Sequence, residues 1–359
     1  MQAQDTKLNF NDHKIYVGID VHKKSWKVSI MVDDILHKRY SQNPDPDQLV
    51  HYLKRNFPGG HYYSAYEAGF CGFWIHKKLE NLGINSIVVN PADVPTSDKE
   101  RRQKEDKRDS LKIAKSLKNG EMNPIHIPSN KTIEDRLLVR TRTTLVKDLR
   151  RNKSRVKSFL NFYGINIPAE LATKNGYWSN KFTKWLESIE LKEESGTFAL
   201  QSILVQAKNT RKQVFELTKR IRDLSNTEPY HERARLLKTV PGIGILTAMV
   251  LLTELEDINR FKNLNMLCSY IGLIPSTRSS GENDKVGKMT PRGHSFLRSA
   301  LVESAWVAIR TDPALLLRFK ELCLRMEPNK AIIRITKKLL NRIVHVLRKK
   351  EEYEKSVLK

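Results

Sequence analysis

Between Lys14 and Val21 the apolar residues Ile15, Val17 and Ile19 alternate with others, the period-two pattern of a strand with one buried face. Trp26 to Val32 and Ile35 to Tyr40 repeat the signal, which predicts a three-stranded meander. Tyr62 to Tyr66 reads as a fourth strand, Phe73 to Leu82 as a helix stopped at Gly83, and Ile84 to Val89 as a fifth strand ended by Asn90-Pro91. This order suits a mixed sheet with helices on its faces, and the last connection is long enough for a parallel crossover.

After Glu105 the period changes. Leu111, Ile113, Ala114 and Leu117 form a helical stripe that ends near Asn119-Gly120, and Pro124 and Pro128 mark a break. From Thr132 to Tyr163 runs a polar helix whose apolar positions, among them Leu137, Leu138, Leu145, Leu149, Val156 and Leu160, recur at mixed helical spacings. A second long helix, Phe198 to Leu224, follows a looser stretch around 164–196, so the two are expected to pair antiparallel as a coiled-coil arm. Further on, Pro241-Gly242-Ile243-Gly244 precedes the helical run Ile245 to Leu255. Such a turn between helices can offer backbone N–H groups to a phosphate, which makes Gly242 and Gly244 candidate nucleic-acid contacts. A polar loop from Arg278 to Gly293 and two helices, Ser295 to Arg310 and Ala331 to Lys350, complete the chain. The pattern divides it at 1–128, 129–230 and 231–359, with no internal repeat.

Charge sharpens this picture. The 359 residues carry 64 Lys and Arg against 40 Asp and Glu, a formal charge of +24, so a polyanion is the leading partner. The basic residues sit within helical periodicity and belong to folded surface. Ten of them against three acids lie between Lys131 and Leu160, which makes the first arm helix strongly basic. Three dispersed cysteines, Cys71, Cys268 and Cys323, argue against a zinc knuckle or a disulfide framework. The N-terminus lacks an apolar leader and the longest apolar run, Ile243 to Leu252, is about half a membrane span, so a cytoplasmic, membrane-free protein is expected. The chain has no Walker loop, no metal-ligand spacing of His residues and no His–Asp spacing suggestive of a hydrolase triad.

Four acids stand out against this basic background. Asp20 ends the first strand in Val17-Gly18-Ile19-Asp20, Glu67 ends the fourth, and Asp106 and Asp109 are three apart on a predicted helix, hence on one face. Taken singly, each reads most simply as a solvated acid. In combination, their order suggests convergence on a divalent cation, Mg²⁺ or Mn²⁺, which takes oxygen ligands while retaining water and substrate phosphate. Ser279 and Ser280 lie beside Arg278, Lys285, Lys288 and Arg292. Their plain reading is that of turn serines, but a hydroxyl among cations is also a candidate nucleophile for a phosphodiester, and Arg278, Lys288 and Arg292 are candidate phosphate contacts.

These residues together resemble the insertion sequence one-ten family of DEDD transposases, which includes the Piv-like DNA invertases and recombinases guided by a bridge RNA. The resemblance runs through Tyr16-Val17-Gly18-Ile19-Asp20-Val21-His22-Lys23, Tyr66-Glu67-Ala68-Gly69, Val89-Asn90-Pro91 and Lys104-Glu105-Asp106-Lys107-Arg108-Asp109. It resumes at Pro241-Gly242-Ile243-Gly244, Tyr270-Ile271-Gly272-Leu273-Ile274-Pro275, Ser280-Gly281 and Lys288-Met289-Thr290-Pro291-Arg292-Gly293. It implies an α/β RNase H-like (RuvC-like) domain in which Asp20, Glu67, Asp106 and Asp109 hold Mg²⁺, a coiled-coil arm, and a mostly α-helical transposase domain supplying the nucleophile Ser280. It further implies a homo-oligomer, dimer or tetramer, in which one subunit's serine completes another's carboxylate site, acting on element-end and target DNA with a noncoding guide RNA and associated with the nucleoid. Ser110 stands where many relatives have another small residue, and Ser279 is a second candidate nucleophile. The competing readings are a junction-resolving nuclease or invertase without an RNA guide, and a noncatalytic nucleic-acid-binding scaffold. An actin-like kinase, which shares a strand ending in Gly-Ile-Asp, lacks support in the basic helical second half.

Overall fold

A computed structural model describes residues 9–94, 106–173, 176–280, 283–289 and 293–354. The chain divides into two units, Met1–Ile127 and Pro128–Lys359, each with its own apolar core. Both long helices of the expected arm belong to the second unit.

In the first unit the described residues form a five-stranded sheet in the order β3-β2-β1-β4-β5. The strands β1 (Lys14–Val21), β2 (Trp26–Val32) and β3 (Ile35–Gln42) make the antiparallel meander that the alternation predicts. Strands β4 (His61–Glu67) and β5 (Asn85–Val89) add in parallel, β4 beside β1 and β5 beside β4. Alternation sends Ile15, Val17 and Ile19 to one face, where Leu49, Val50 and Leu53 of α1 (Pro46–Asn56) and Ile75 and Leu79 of α2 (Trp74–Asn81) cover them. Helix α1 has no counterpart in the sequence reading. It starts at Asp45, whose side chain accepts from the Asp47 N–H, with Pro46 in the first turn.

The opposite face carries α3 (Asp106–Lys118), the helix predicted after Glu105. Its Ile113 packs with Ala65 of β4 and Val89 of β5. At Gly18 the helix lies against the strand backbone to backbone: a Cβ there would fall on the Ser110 carbonyl and the Ala114 amide. Beside this contact the buried hydroxyls of Ser29 on β2 and Ser110 on α3 share a 2.8 Å hydrogen bond. A serine at 110 is therefore matched by a serine on the sheet, so neither hydroxyl is left unsatisfied in the core.

The second unit opens with α4 (Asn130–Phe162), capped by the Ser129 hydroxyl, which accepts from the Thr132 N–H. It pairs with α6 (Glu194–Leu224). Arg142 donates to Thr218, Asn152 to Thr210 and Arg155 to Gln206, a falling register that makes the pair antiparallel. The stretch expected to be loose contains α5 (Asn180–Glu187), whose Phe182 and Leu186 join Val156, Leu160, Leu200 and Leu204 in a small core at this end of the pair.

A larger core gathers α7 (His231–Thr239), α8 (Ile245–Leu255), α9 (Leu264–Ile271), α10 (Ser295–Thr311), α11 (Pro313–Cys323) and α12 (Pro328–Lys349). Helix α11 was not anticipated. It is capped by Asp312, whose carboxylate also accepts from Arg342 at 2.8 Å and from the Tyr353 hydroxyl at 2.7 Å. Where a polar loop was expected, β6 (Pro275–Ser280) and β7 (Asn283–Met289) form an antiparallel pair.

Besides Asp312, a second carboxylate in this core is fully enclosed. Glu254 on α8 accepts two hydrogen bonds from Arg140 of α4, at 2.6 and 2.7 Å. Arg136 stands at 3.4 Å and the His294 Nε2, at the head of α10, at 3.0 Å. Burial alone raises its pKa, but the hydrogen bonds and charges of His294 and Arg140 overcome that and hold it down to about 2.

Two outcomes follow for the stability of the chain. Gly18→Val is expected to destabilise the first unit by about 2 kcal/mol or more, since helix and strand must separate to admit the side chain, and thermal unfolding measures it. Glu254→Gln is expected to cost about 3 kcal/mol, the low end for breaking a buried pair because Arg140 is half exposed and can turn to water. A carboxyl whose folded pKa is depressed contributes stability above its unfolded pKa and loses it as pH falls toward the folded value. Melting temperatures taken from pH 5 down to pH 2 are therefore expected to fall more steeply in the native chain than in Glu254→Gln, and parallel curves would show that the enclosed carboxylate is not the titrating group.

Candidate carboxylate site

The sheet itself sets two of the acids side by side. Asp20 shares the parity of Gly18, and Glu67 shares that of Ala65, so both belong to the face that carries α3. The parallel register pairs Gly18 with Ala65 and Ile19 with Tyr66, so Asp20 and Glu67 come next at the same level. Asp109 is on the first turn of α3, one residue before the Ser110 carbonyl that rests on Gly18.

These three acids line one hollow of about 130 Å³, together with Val21, Gly69, Phe70, Cys71 and Ile113. Asp106 begins the same helix, but its side chain lies outside the described residues. Among the described residues no three His, Cys, Asp or Glu side chains are drawn tightly enough together to hold a metal ion as they stand. Sequence reasoning expected four acids in one cage, whereas the described residues show three around an open hollow. Like charges in one site repel unless a cation lies among them, so an open spacing is the physical expectation for the bare carboxylates.

The rim of the hollow holds residues that the sequence did not single out. His22, read from its spacing as surface or core, places its Nε2 3.0 Å from the Asp20 Oδ2. The two are i and i+2 on extended chain and so point the same way, a signal available in the sequence. Phe70 is 65% exposed despite its size, with the Lys23 ammonium 5.9 Å from its ring centre. Burial pushes the Cys71 thiol up, which makes it a poor thiolate nucleophile.

The remaining candidates belong to the second unit. Ser279 and Ser280 close β6, opposite Asp284 and Asn283 of β7, which places both hydroxyl-bearing residues at the end of a strand pair. The side chains of Arg278 and Lys288 lie outside the described residues, as does the whole of Arg292. Gly242 and Gly244 line a separate groove of about 380 Å³ with Lys238, Thr239, Val307 and Thr311. Gly242 adopts a left-handed φ of 81°, and a Cβ on it would strike the Ser304 carbonyl of α10, so the turn needs glycine twice over. His294, expected to be surface or satisfied core, is one partner of the enclosed Glu254 and stands where the chain leaves the strand pair.

Comparison with known proteins bears on both units. A family model described as Transposase matches residues 17–165, and one described as Transposase IS116/IS110/IS902 family matches residues 234–320. The transposase for insertion sequence element IS1533 of Leptospira borgpetersenii is 27% identical over 310 residues, spanning 82% of this chain and 85% of that protein. A transposase of Sinorhizobium fredii is 29% identical over 249 residues, 68% of this chain, which spans 58% of that longer protein. The pilin gene-inverting protein of Moraxella bovis is 33% identical over 152 residues, 40% of this chain and 46% of its own length. The first match implies an RNase H-like fold, to which the mixed five-stranded sheet conforms; it extends through α4, and the second match begins within α7. The chain belongs to the IS110 family of DEDD transposases, enzymes that cleave and transfer DNA strands for insertion sequences.

Proposed function

We propose that this transposase recombines its own element through a metal-bound carboxylate centre made by Asp20, Glu67, Asp106 and Asp109, with Ser280 as the nucleophile. The observation that carries the reading is the hollow on the α3 face of the sheet, where three of the four acids meet although they come from three separate elements. The donor set is all oxygen, which suits Mg²⁺ or Mn²⁺. Bound there, a divalent ion would stabilise charge developing on the phosphorane and on the leaving oxygen.

The chain's own groups divide the remaining work. Asp20 and Glu67, fixed by neighbouring parallel strands, would hold the ion that receives the scissile phosphate, and His22 restrains the Asp20 carboxylate through its 3.0 Å contact. Asp109 completes the face from α3. Ser280 attacks phosphorus, its proton leaves to solvent or to a carboxylate, and the strand's 3′ oxygen departs, giving a phosphoserine link. A second strand's hydroxyl then displaces the serine, so phosphodiester bonds are conserved in number. Arg278, Lys288 and Arg292 hold phosphate near the serine, and the Gly242–Gly244 turn holds duplex backbone.

The same reading includes an oligomer, dimer or tetramer, assembled through the α4–α6 pair acting as a coiled-coil arm, and a noncoding guide RNA that supplies sequence recognition. Recognition by pairing leaves the protein to contact backbone and shape. No helix among the described residues is long and apolar enough to cross a membrane.

Asp20→Asn, Glu67→Gln and Asp109→Asn are each expected to reduce strand cleavage by on the order of a hundredfold or more, because several kcal/mol of transition-state stabilisation is removed. Denaturing gels of end-labelled element DNA measure it, with chelation of divalent ions giving the same loss. Ser280→Ala is expected to abolish the covalent protein–DNA adduct while Ser279→Ala retains it. If Ser280→Ala recombines at the native rate while Asp20→Asn does not, the protein uses water as a junction-resolving nuclease does. RNA recovered with the purified chain, and loss of target choice after ribonuclease treatment, test the guide.

A further inference from the structure

The outer face of α4 carries a feature that the strand-cleaving centre does not use. Arg150, Arg151 and Arg155 line a shallow groove of about 790 Å³ with Phe159 and Phe162 of the same helix and Ile203 of α6. All three arginines are exposed, and Phe162 is 82% exposed, with Tyr163 beside it at 46%. Among the described residues Arg150 and Arg155 have no carboxylate partner. Arg151 pairs with Asp148 at 3.0 Å, an exposed contact that exchanges readily for phosphate.

The other cations on this stretch are already engaged. Lys153 and Lys157, one turn apart, stack on Trp178 and Tyr177. The groove arginines therefore form a separate stripe. At 1.5 Å per residue, Arg155 lies about 7 Å beyond Arg150 along the helix, and Phe162 about 10 Å beyond Arg155. Cations that follow a backbone, ending in an aromatic face open to solvent, make the arrangement that binds unpaired nucleotides.

We infer that this groove is a binding site for a single-stranded nucleic-acid segment, its phosphates on Arg150, Arg151 and Arg155 and a base stacked on Phe162. Duplex DNA would satisfy the arginines but leaves no base face for the phenyl ring, since its bases already stack on one another. A second copy of this chain would cover the aromatic residues, but a two-fold contact on this face brings the two arginine sets toward each other. The site is independent of the carboxylate centre and of the serine.

The test uses the full-length chain and a fluorescent oligothymidylate about 16 nucleotides long, with an oligouridylate and a duplex of equal length alongside. Phe162→Ala is expected to weaken binding of the unpaired strands about tenfold and to leave duplex binding unchanged. Arg150→Gln with Arg155→Gln is expected to reduce the dependence of log affinity on log salt by about one to two. Photocrosslinks from 5-bromouracil are expected on the peptide that contains Phe162, and a loss confined to the ribose or deoxyribose strand names the source of the segment. Unchanged melting curves separate loss of contact from loss of fold. Native affinity and salt slope in both variants, with crosslinks only elsewhere, overturn the inference. So does a Phe162→Ala chain that changes oligomeric state by light scattering while binding the oligonucleotide normally.

Discussion

Everything in the first unit that concerns chemistry depends on one backbone contact, the rest of α3 on Gly18. A β-strand fixes the side of the sheet to which a residue belongs, and a parallel neighbour fixes its level, so Asp20 and Glu67 are placed by local geometry alone. Asp109 is not. Its position is set by how closely and at what point the helix crosses the sheet, and that is decided where the Ser110 carbonyl and the Ala114 amide sit over a residue without a Cβ. The Ser29–Ser110 hydrogen bond fixes the crossing laterally, because in a dry interface each hydroxyl has only the other to satisfy it. A wider crossing would leave two acids on the strands and a third on a helix too far away to share a ligand with them.

The second unit solves a related problem with charge. Helix α4 is long and polar, and apolar packing alone would leave its sliding position against α8 weakly defined. Glu254 changes that, because an enclosed carboxylate must keep its donors, and only one alignment of α4 presents both Arg136 and Arg140 to it. Replacing such a cluster with apolar residues can leave net stability unchanged, so its contribution here is to select one alignment. His294 extends the cluster to the start of α10 and so to the end of the segment that carries Ser279 and Ser280. The serine-bearing strands are thus tied at one end to a group that cannot shift without exposing a buried charge.

How much of this was legible in the sequence differs between elements for physical reasons. Period-two alternation in β1 and the turn signals around β4 and β5 identified the sheet, because strands with one buried face write their geometry directly into residue order. Helix α1 has no counterpart in the sequence reading, although Asp45-Pro46 and the spacing of Leu49, Val50 and Leu53 announce it. The β6–β7 pair was missed for a deeper reason: Arg278 to Met289 is almost wholly polar, so it has no hydrophobic period to read. The three acids of the hollow were legible as positions, and their order along the chain suggested convergence, which the resemblance then tied to one fold. The partners of Glu254 could not be read at all, because they are 114 residues or more away in one direction and 40 in the other, and nothing local announces a long-range ion pair.

The distribution of charge gives these parts a common logic. A net charge of +24 favours association with DNA, and attraction of that kind carries no information about where a strand should be cut. The hollow lined by Asp20, Glu67 and Asp109 has the opposite character, since three carboxylates with no cation among them repel phosphate. Under the proposed mechanism, binding elsewhere on the basic surface brings nucleic acid close without committing it to reaction, and a carboxylate hollow of this kind would stay closed to phosphate until a cation reversed its sign. On that reading an acidic centre in a basic protein is a condition on catalysis: the side chains that would hold the ion exclude the substrate without it. That condition also explains why the acids are drawn from two strands and a helix instead of one loop, since rigid elements keep the carboxylates apart and poised against their mutual repulsion, where a loop would let them turn away into water.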